Sequence, residues 1–344
     1  MSCRKSHHNF KTTQSYLQHK TTGENMTLTI AHKTVLGECE NLFPNGGWDV
    51  HHHIFEPSRF QYSPDRHLTP PAASTKHYLE WKSKLGLTHS VLTHGLSYGD
   101  DCTSLRAFVP ELGKSCTLGI GVIDPSTVTP HDLQGMREAG IRGIRVNNYK
   151  YNAMHNVERQ KVALRDHAAV LKQHCPEWSI SFTHIHPEFW GELTPVVEEI
   201  VYSGIPLITD HFALLKAASM LPEMYKADIT SQPGFADIVS LLRSGALYIK
   251  ISAPYRVSDL APDYEDVQPL VMALVEANPR RILWGSDWPH TPRMKVRSAE
   301  EAVQETPYLK VDDRAWLRQL KSWLSEEHWH LIMIENPQRL YGPQ

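Results

Sequence analysis

Two histidines separated by one residue lie in the first apolar run of the chain, at His51 and His53. Side chains alternate between the faces of a β-strand, so these two imidazoles point the same way while His52 points the opposite way. Imidazole nitrogens bind metals and also act as acids, bases and hydrogen-bond donors. The spacing predicts half of a metal site or a paired acid/base and oxyanion site; the alternative is a chance polar cluster at a strand end.

Histidines and an aspartate also stand at the ends of later apolar runs. His184 and His186 are again two residues apart, His211 follows residues 205–210, and Asp287 follows residues 282–286. Imidazole and carboxylate ligands suit a divalent ion such as Zn²⁺, and a carboxylate beside that site can take a proton from water. The candidate metal ligands are His51, His53, His184, His186, His211 and Asp287, and the candidate catalytic residues are His51, His53, His211 and Asp287. The sequence leaves open which of the two histidines at 184 and 186 faces the centre.

Two arginines stand at the ends of further runs, Arg145 and Arg256. A guanidinium matches a carboxylate through two parallel hydrogen bonds, so these residues are candidates for binding a substrate carboxylate or an oxyanion. A structural salt bridge to a loop acid is the alternative for each. His94 and Tyr98 end the second run and are further candidates for substrate contact, and the role of Lys250 stays open.

The elements that must position these groups alternate along the chain. Short apolar, β-branched runs occupy 48–55, 89–95, 116–124, 141–148, 178–186, 205–212, 247–255 and 281–290. Segments of helical period occupy 76–85, 130–139, 157–174, 190–203, 234–243, 264–277 and 312–326. This alternation predicts an α/β fold, a (β/α)₈ TIM barrel, whose active site forms at the C-terminal ends of the strands. A doubly wound open sheet is the alternative, disfavoured because no glycine-rich phosphate turn follows the first strand.

Composition limits the class of protein and its partners. The 344 residues are 41% hydrophobic and 21% charged, which is enough apolar material for a large core. A formal net charge of −3 offers no basic excess for nucleic acid or an anionic membrane surface. No apolar run approaches the roughly 18–20 residues of a membrane span. The expected partner is therefore a small-molecule substrate, and a homo-oligomer is left open.

The cysteines and the N-terminal residues indicate the cellular compartment. Five cysteines without a Cys-x-x-Cys pair predict reduced thiols in the cytoplasm. Residues 1–45 are predicted to be a polar N-terminal extension, and residues 46–344 the barrel. The first 25 residues lack the apolar segment of a secretory signal, while their basic residues leave a mitochondrial transit peptide as the alternative.

Several segments, taken in order, carry a family resemblance. They are Asp-Val-His-His-His-Ile-Phe at 49–55, Ser-Pro-Asp-Arg-His-Leu-Thr-Pro at 63–70, Gly-Ile-Arg-Gly-Ile-Arg at 140–145, Asp-His at 210–211, Arg-Ile-Leu-Trp-Gly-Ser-Asp-Trp-Pro-His at 281–290 and Glu-Asn-Pro at 335–337. With them the chain resembles the amidohydrolase superfamily, most of all its branch of pyrone and sugar lactonases.

The resemblance implies a distorted barrel that hydrolyses a cyclic ester. By analogy with the metal-free pyrone lactonases, Asp287 would activate water, and His51, His53 and His211 would stabilise the carbonyl oxygen. Arg145 and Arg256 match the arginines that bind substrate carboxylates.

Two departures from the pyrone lactonases modify what the resemblance implies. Tyr151 and Leu214 stand where those enzymes have further arginines, which predicts a less anionic and more aromatic substrate. His184 stands where they have a tyrosine, and His186 precedes a proline as the metal-binding histidine of related decarboxylases does. Both histidines favour a bound divalent metal, with Zn²⁺ as the expected ion.

The leading hypothesis is therefore a lactone hydrolase in which Asp287 activates water beside the histidines and a divalent metal. A metal-dependent nonoxidative decarboxylase of an aromatic or enoic acid, and a non-catalytic ligand-binding barrel, are the alternatives. The residues expected to bind substrate are Arg145, Arg256, His94, Tyr98, Tyr151 and His290.

Overall fold

A computed structural model describes residues 42–43 and 45–342 of the chain. The predicted N-terminal extension therefore lies almost wholly outside the described residues. The compact unit that contains the described residues begins at Leu42. Within the described part, no helix has both the length and the apolar character needed to cross a membrane.

Eight parallel strands form the sheet and pair in chain order. They are β1 (Trp48–His52), β2 (His89–Thr93), β3 (Thr117–Gly121), β4 (Ile141–Arg145), β5 (Ser179–Phe182), β6 (Leu207–Thr209), β7 (Tyr248–Ser252) and β8 (Ile282–Gly285). Each strand lies inside a predicted run, because parallel strands that are covered on both faces are rich in apolar residues. The predicted (β/α)₈ barrel is confirmed.

Helices connect the strands and follow the last of them. They are α1 (Thr75–Leu85), α2 (Thr103–Gly113), α3 (Pro130–Glu138), α4 (Val157–His174), α5 (Trp190–Tyr202), α6 (Glu223–Lys226), α7 (Phe235–Arg243), α8 (Gln268–Ala277), α9 (Ala299–Ala302), α10 (Asp313–Trp323), α11 (Glu326–His330) and α12 (Asn336–Tyr341), with a π-helical turn at Leu331–Glu335. Helix α2 is absent from the predicted segments, and Pro110 in its interior argues against a helix when only the sequence is read.

One predicted helix begins later than expected. The sequence predicts a start at residue 264, but Tyr264 has a φ of 53°, which an α-helix does not allow. Residues Glu265–Val267 form a 3₁₀ turn, and α8 starts at Gln268 with Pro269 inside its first turn. A proline in the first turn lacks only an N–H group that has no helical partner there.

A register shift in β1 decides which side chains enter the barrel. The pairing with β2 shifts between Asp49 and His52. Both of these side chains contact Tyr78 of α1, Asp49 through a hydrogen bond of 3.1 Å and His52 through ring stacking at 3.7 Å. His51 lies between them and faces the opposite way. The prediction that His52 points away from the site is confirmed, although strict alternation would have put Asp49 and His52 on different faces.

The barrel closes where β8 meets β1. The backbone N–H of Asp287 donates to the carbonyl of His51 at 2.8 Å, and that of His53 donates to the carbonyl of Trp288 at 2.8 Å. Gly285 permits this approach, because a Cβ atom there would lie 2.6 Å from Cβ of His51. The strands that carry the first and the last site residues are thereby joined directly.

The Asp49 carboxylate ties the same two strands together. Its Oδ1 accepts from the backbone N–H groups of Ser286 at 2.9 Å and His51 at 3.1 Å. Its Oδ2 accepts from the Ser286 hydroxyl at 2.7 Å and the Tyr78 hydroxyl at 3.1 Å. Asp49 is fully buried, so these donors have no access to water and depend on this one side chain.

We expect Asp49→Ala to lower the free energy of unfolding by about 2–4 kcal/mol, because it orphans several buried donors at once. Asp49→Asn keeps one acceptor oxygen for the two backbone N–H groups, and the hydroxyls of Tyr78 and Ser286 can rotate to accept. Urea unfolding of both variants measures the difference. Equal losses for Ala and Asn would show that these hydrogen bonds do not hold β8 to β1.

Candidate active site

Three imidazoles converge on one carboxylate oxygen at the C-terminal rim of the barrel. Nε2 of His53 lies 3.4 Å, Nε2 of His51 3.5 Å and Nε2 of His211 3.9 Å from Oδ1 of Asp287. All four residues are buried, and neither Oδ1 of Asp287 nor Nε2 of His51 has a hydrogen-bond partner among the described residues. We call these four residues the histidine–aspartate cluster.

The second nitrogen of each imidazole fixes how the ring is presented. Nδ1 of His53 lies 2.8 Å from the carbonyl of Thr93, and Nδ1 of His51 lies 3.2 Å from Oδ1 of Asp210. Nδ1 of His51 also lies 3.2 Å from Nζ of Lys250, so this ring is held between a carboxylate and an ammonium group. These contacts direct Nε2 of both rings at Asp287. Nδ1 of His211 pairs with the hydroxyl of Ser252 at 2.9 Å.

Burial favours the neutral form of His51 and of His211. It lowers the pKa of His51 to about 4 and the pKa of His211 well below its usual value. Nε2 of His51 and Oδ1 of Asp287 are buried and face each other, and neither has a hydrogen-bond partner among the described residues. A bound cation resolves that arrangement, and His51, His211 and Asp287 each offer a ligand atom within 4.8 Å of the others. The residues therefore fit a divalent metal ion.

Asp287 is held through its other oxygen. Oδ2 accepts from the hydroxyl of Tyr255 at 2.5 Å and from Nη2 and Nε of Arg256 at 2.7 and 3.1 Å. Burial would raise the pKa of Asp287, but the guanidinium of Arg256 holds it well below its usual range. The carboxylate is thus ionised, with Oδ1 directed at the imidazoles.

The backbone at the ends of β6 and β8 is left-handed where the cluster forms. Asp287 has a φ of 60°, and His211, Phe212, Ala213 and Leu214 have φ between 54° and 59°. Such angles are uncommon outside glycine and persist where surrounding contacts require them. They turn the chain sharply at the strand ends, so that the side chains of His211 and Asp287 point into the barrel mouth.

A buried ion pair lies behind His51. Nζ of Lys250 is 3.0 Å from Oδ1 of Asp210, and both side chains are almost wholly buried. Asp210 also accepts from the hydroxyls of Thr183 at 2.7 Å and Ser181 at 3.3 Å. The role of Lys250, open from the sequence, is to neutralise the carboxylate that orients His51.

The expected fifth-strand metal ligand is not brought to the cluster. His184 lies in an aromatic group, with its ring centroid 5.1 Å from that of Trp190, and both of its nitrogens lack a hydrogen-bond partner among the described residues. His186 pairs with His155 at 2.6 Å and with Glu188 at 2.8 Å. The reason is the strand period, since the inward face of β5 continues to Thr183, and His184 shares the outward face with Phe182.

The two predicted substrate arginines have different surroundings. Arg256 directs Nε and Nη2 at Asp287 and donates to the carbonyls of Pro292 at 2.9 Å and Thr291 at 3.2 Å. Its donors are committed, so it positions Asp287 rather than receiving a substrate carboxylate. Arg145 makes one hydrogen bond within the described part of the chain, to the carbonyl of His94 at 3.2 Å, and lines the central cavity beside the cluster.

Two of the other predicted contacts belong to the protein scaffold. His94 is buried, and its Nε2 pairs with the carbonyl of Gly99 at 2.9 Å. The Tyr98 hydroxyl accepts from the backbone N–H of Glu56 at 2.8 Å. Neither side chain lines the central cavity, because both are used to fold the loop that follows β2.

The remaining two predictions also fall outside the cavity. Tyr151 packs edge-on against His167 of α4, with ring centroids 5.6 Å apart. Nε2 of His290 pairs with Asp313 of α10 at 3.0 Å and so ties the β8 loop to that helix. Leu214 is buried in the core and does not line the cavity either.

Residues that the sequence did not predict line the cavity instead. Besides the cluster, Arg145 and Arg256, the residues that line the cavity include His67, Tyr149, Arg297, Phe55, Leu96 and Met154. Tyr149 is two residues from Tyr151 in the same loop, and His67 lies in the long loop after β1. His67 stands in the motif at 63–70, but loop residues have no periodicity that would reveal where their side chains point, so the sequence did not predict that these residues line the cavity.

Comparisons with known proteins agree with the fold. The family model described as amidohydrolase matches residues 48–342. A 4-sulfomuconolactone hydrolase of Hydrogenophaga intermedia is 28% identical, with 88% of this chain and 90% of that protein aligned. A 2-pyrone-4,6-dicarboxylate hydrolase of Comamonas testosteroni is 25% identical over 88% of this chain and 92% of its own length. A D-galactarolactone isomerase of Agrobacterium fabrum is 25% identical, over 87% and 92%.

A solved structure supports the architecture independently. The crystal structure of a probable 2-pyrone-4,6-dicarboxylic acid hydrolase from Acinetobacter baumannii superposes with a TM-score of 0.64. It covers 87% of this chain and 100% of its own length at 20% identity, which supports the shared fold. Because the family model spans nearly the whole barrel, the chain belongs to the amidohydrolase family.

Proposed function

We propose that the protein hydrolyses a lactone or related cyclic ester that carries an anionic group, with Asp287 as the general base. The observation that carries the proposal is that the two oxygens of this carboxylate have different environments. Oδ2 is saturated by Tyr255 and Arg256, while Oδ1 has no hydrogen-bond partner among the described residues and faces three imidazole nitrogens at the cavity. Relatives named for lactone chemistry support the same reaction class.

The reaction divides into two proton transfers. Oδ1 of Asp287 takes a proton from water as the water oxygen attacks the lactone carbonyl. When the ring C–O bond breaks, the same carboxyl can return that proton to the departing ring oxygen. The product is an open-chain hydroxy acid, or its keto tautomer if the leaving oxygen is enolic, and its new carboxyl group releases a proton into solution.

The surrounding residues orient these steps. Tyr255 and Arg256 keep the Asp287 carboxylate in one orientation, so little reorganisation is needed during the reaction. Arg145 offers a guanidinium to an anionic group of the substrate. A divalent ion such as Zn²⁺, held by His51, His53, His211 and Asp287, would supply Lewis-acid stabilisation of the carbonyl oxygen.

Asp287→Asn should abolish proton abstraction while it preserves the size of the side chain. We expect kcat to fall by at least about 100-fold, the lower range for a lost general base. Asp259→Asn, which changes an exposed carboxylate on the β7 side of the rim, is the matched control. Acid release from a panel of anionic lactones, followed with a pH indicator, measures both variants.

The same assay separates the reactions that the barrel could support. Lactone consumption with no acid release would indicate isomerisation, and CO₂ release from aromatic or enoic acids would indicate decarboxylation. Either result without lactone hydrolysis would overturn the hydrolase proposal. Full activity of the Asp287→Asn variant would show that another group activates water.

The two arginines should affect different kinetic constants. Arg256→Gln frees Oδ2 of Asp287, so we expect a lower kcat with a smaller change in KM. Arg145→Gln removes a charged partner of the substrate and should lower kcat/KM about 10–100-fold, mainly through KM. Steady-state kinetics of both variants on one lactone tests the split, and the reverse pattern would contradict the assigned roles.

The metal proposal has a readout independent of activity. We expect about one equivalent of divalent metal per chain after purification, since structural and catalytic sites with this donor set bind tightly. His211→Ala should reduce that content, whereas His186→Ala, outside the cluster, should not. Elemental analysis measures all three proteins. Fully active protein without bound metal would instead assign the imidazoles a direct role on the substrate.

A further inference from the structure

Two cavities at the mouth of the barrel share a wall. The central cavity, beside the histidine–aspartate cluster, has a volume of about 70 Å³, and a second cavity nearer the surface has a volume of about 440 Å³. We call the second one the outer cavity; its lining includes Asp65, Asp100, Asn147 and Lys150. His67, Leu96 and Tyr149 line both cavities and therefore stand between them.

The central cavity is small for the chemistry proposed there. A volume of about 70 Å³ has room for a few water molecules. Sites that hold small organic ligands commonly have about 300–1,000 Å³, a range that the outer cavity reaches and the central cavity does not. A molecule as large as a lactone therefore reaches Asp287 only when a wall of the central cavity moves.

The wall formed by the loop after β8 is held in place. Thr291 and Pro292 line the central cavity on this side, and Arg256 donates to their carbonyls at 3.2 and 2.9 Å. Nη2 of Arg256 also donates to the hydroxyl of Thr291 at 2.9 Å and to Asp287 at 2.7 Å. Movement of this wall would therefore disturb the orientation of Asp287.

The wall toward the outer cavity is a stacked pair of rings from two loops. His67 lies between β1 and α1, and Tyr149 lies between β4 and α4. Their ring centroids are 4.1 Å apart and their planes 13° apart, and within the described chain neither side chain makes a hydrogen bond or an ion pair. Stacking of two rings contributes a factor of about 2–10 to an equilibrium constant beyond the area that it buries. The His67–Tyr149 stack can therefore open at low cost.

The backbones that carry the two rings are anchored independently of the stack. Nδ2 of Asn148 donates to the carbonyl of Thr183 at 3.0 Å, and Nη1 of Arg66 donates to the carbonyl of Ser63 at 2.9 Å. Rotation of the two side chains is therefore enough to join the cavities, and the loops keep their course.

We propose that the His67–Tyr149 stack is a movable wall that controls access to the cluster, and that ligands enter from the outer cavity by separating the two rings. His67 and Tyr149 are then access-determining residues for the site. The inference concerns the route of entry, so it goes beyond the proposed reaction and does not depend on it.

Chemical modification tests the wall without turnover. Diethyl pyrocarbonate acylates neutral imidazoles and is too large for the central cavity when the stack is closed. After a chelator has removed any bound metal, mass spectrometry follows modification of His211 in the full-length protein, with exposed His131 on α3 as the reference. We expect His67→Ala and Tyr149→Ala each to accelerate modification of His211 about 2–10-fold, because each abolishes the stack.

Tyr149→Phe is the matched control, since it keeps the ring and removes only the hydroxyl. It should modify at the wild-type rate, and the double variant His67→Ala, Tyr149→Ala should be no faster than either single variant. His94 is buried but does not line the central cavity, so its rate should stay unchanged and reports any general loosening. Equal rates at His211 and His131 in the wild type, no acceleration in the alanine variants, or the same acceleration in Tyr149→Phe or at His94 would overturn the proposed wall.

These outcomes are separate from those of the lactone assay. Acceleration at His211 in a protein that opens no lactone would leave the wall in place and reject the hydrolase proposal alone. Lactone hydrolysis by the wild type together with unchanged modification of His211 in both alanine variants would reject the wall alone.

Discussion

The division of the Asp287 carboxylate between two environments is the constraint on which the site depends. One oxygen is fully committed to Tyr255 and Arg256, and the other faces the imidazoles without a hydrogen-bond partner in the described chain. Because the first oxygen is held by a cation, the carboxylate stays ionised in a place where burial would otherwise protonate it. The same contacts prevent rotation, so the free oxygen has a defined direction.

That arrangement depends in turn on the closure of the barrel. Asp287 follows β8 in a left-handed conformation, and its backbone N–H is bound to the carbonyl of His51 in β1. Asp49 joins the same strands beside this contact, through Ser286. Asp287 and the first histidine are therefore positioned by one set of contacts between β1 and β8, and a change in one strand moves both.

The charges at the cavity differ from those that the family resemblance implies. Arg256 occupies a position that the resemblance associates with substrate carboxylates, yet here its donors are committed to Asp287 and to loop carbonyls. The cations without an ion pair that line the cavity are instead Arg145 and Arg297, a loop residue that no motif singles out. Arg297 stands out because its charge has no partner among the described residues, and not because the sequence predicts an arginine at that position.

The amino-acid sequence alone determined the barrel and the cluster. Eight apolar runs at regular spacing allow few other folds, and polar residues at strand ends must meet on one rim because parallel strands share a direction. The sequence pattern was therefore sufficient to select His51, His53, His211 and Asp287 as neighbours. The period of two did not specify the face at every strand end, because His184 follows β5 at the same distance as His211 follows β6 and yet lies outside the cluster.

Only the tertiary structure decided the positions and contacts of the other site residues. His184 turned outward because β5 presents Thr183 to the interior, and a shift of one residue moves a side chain to the other face. Arg256, Tyr255 and Lys250 obtained their roles from partners more than thirty residues away in the chain. His67, Tyr149 and Arg297 lie on loops, whose course depends on packing contacts and not on a repeating pattern, so no sequence period could place them in the cavity.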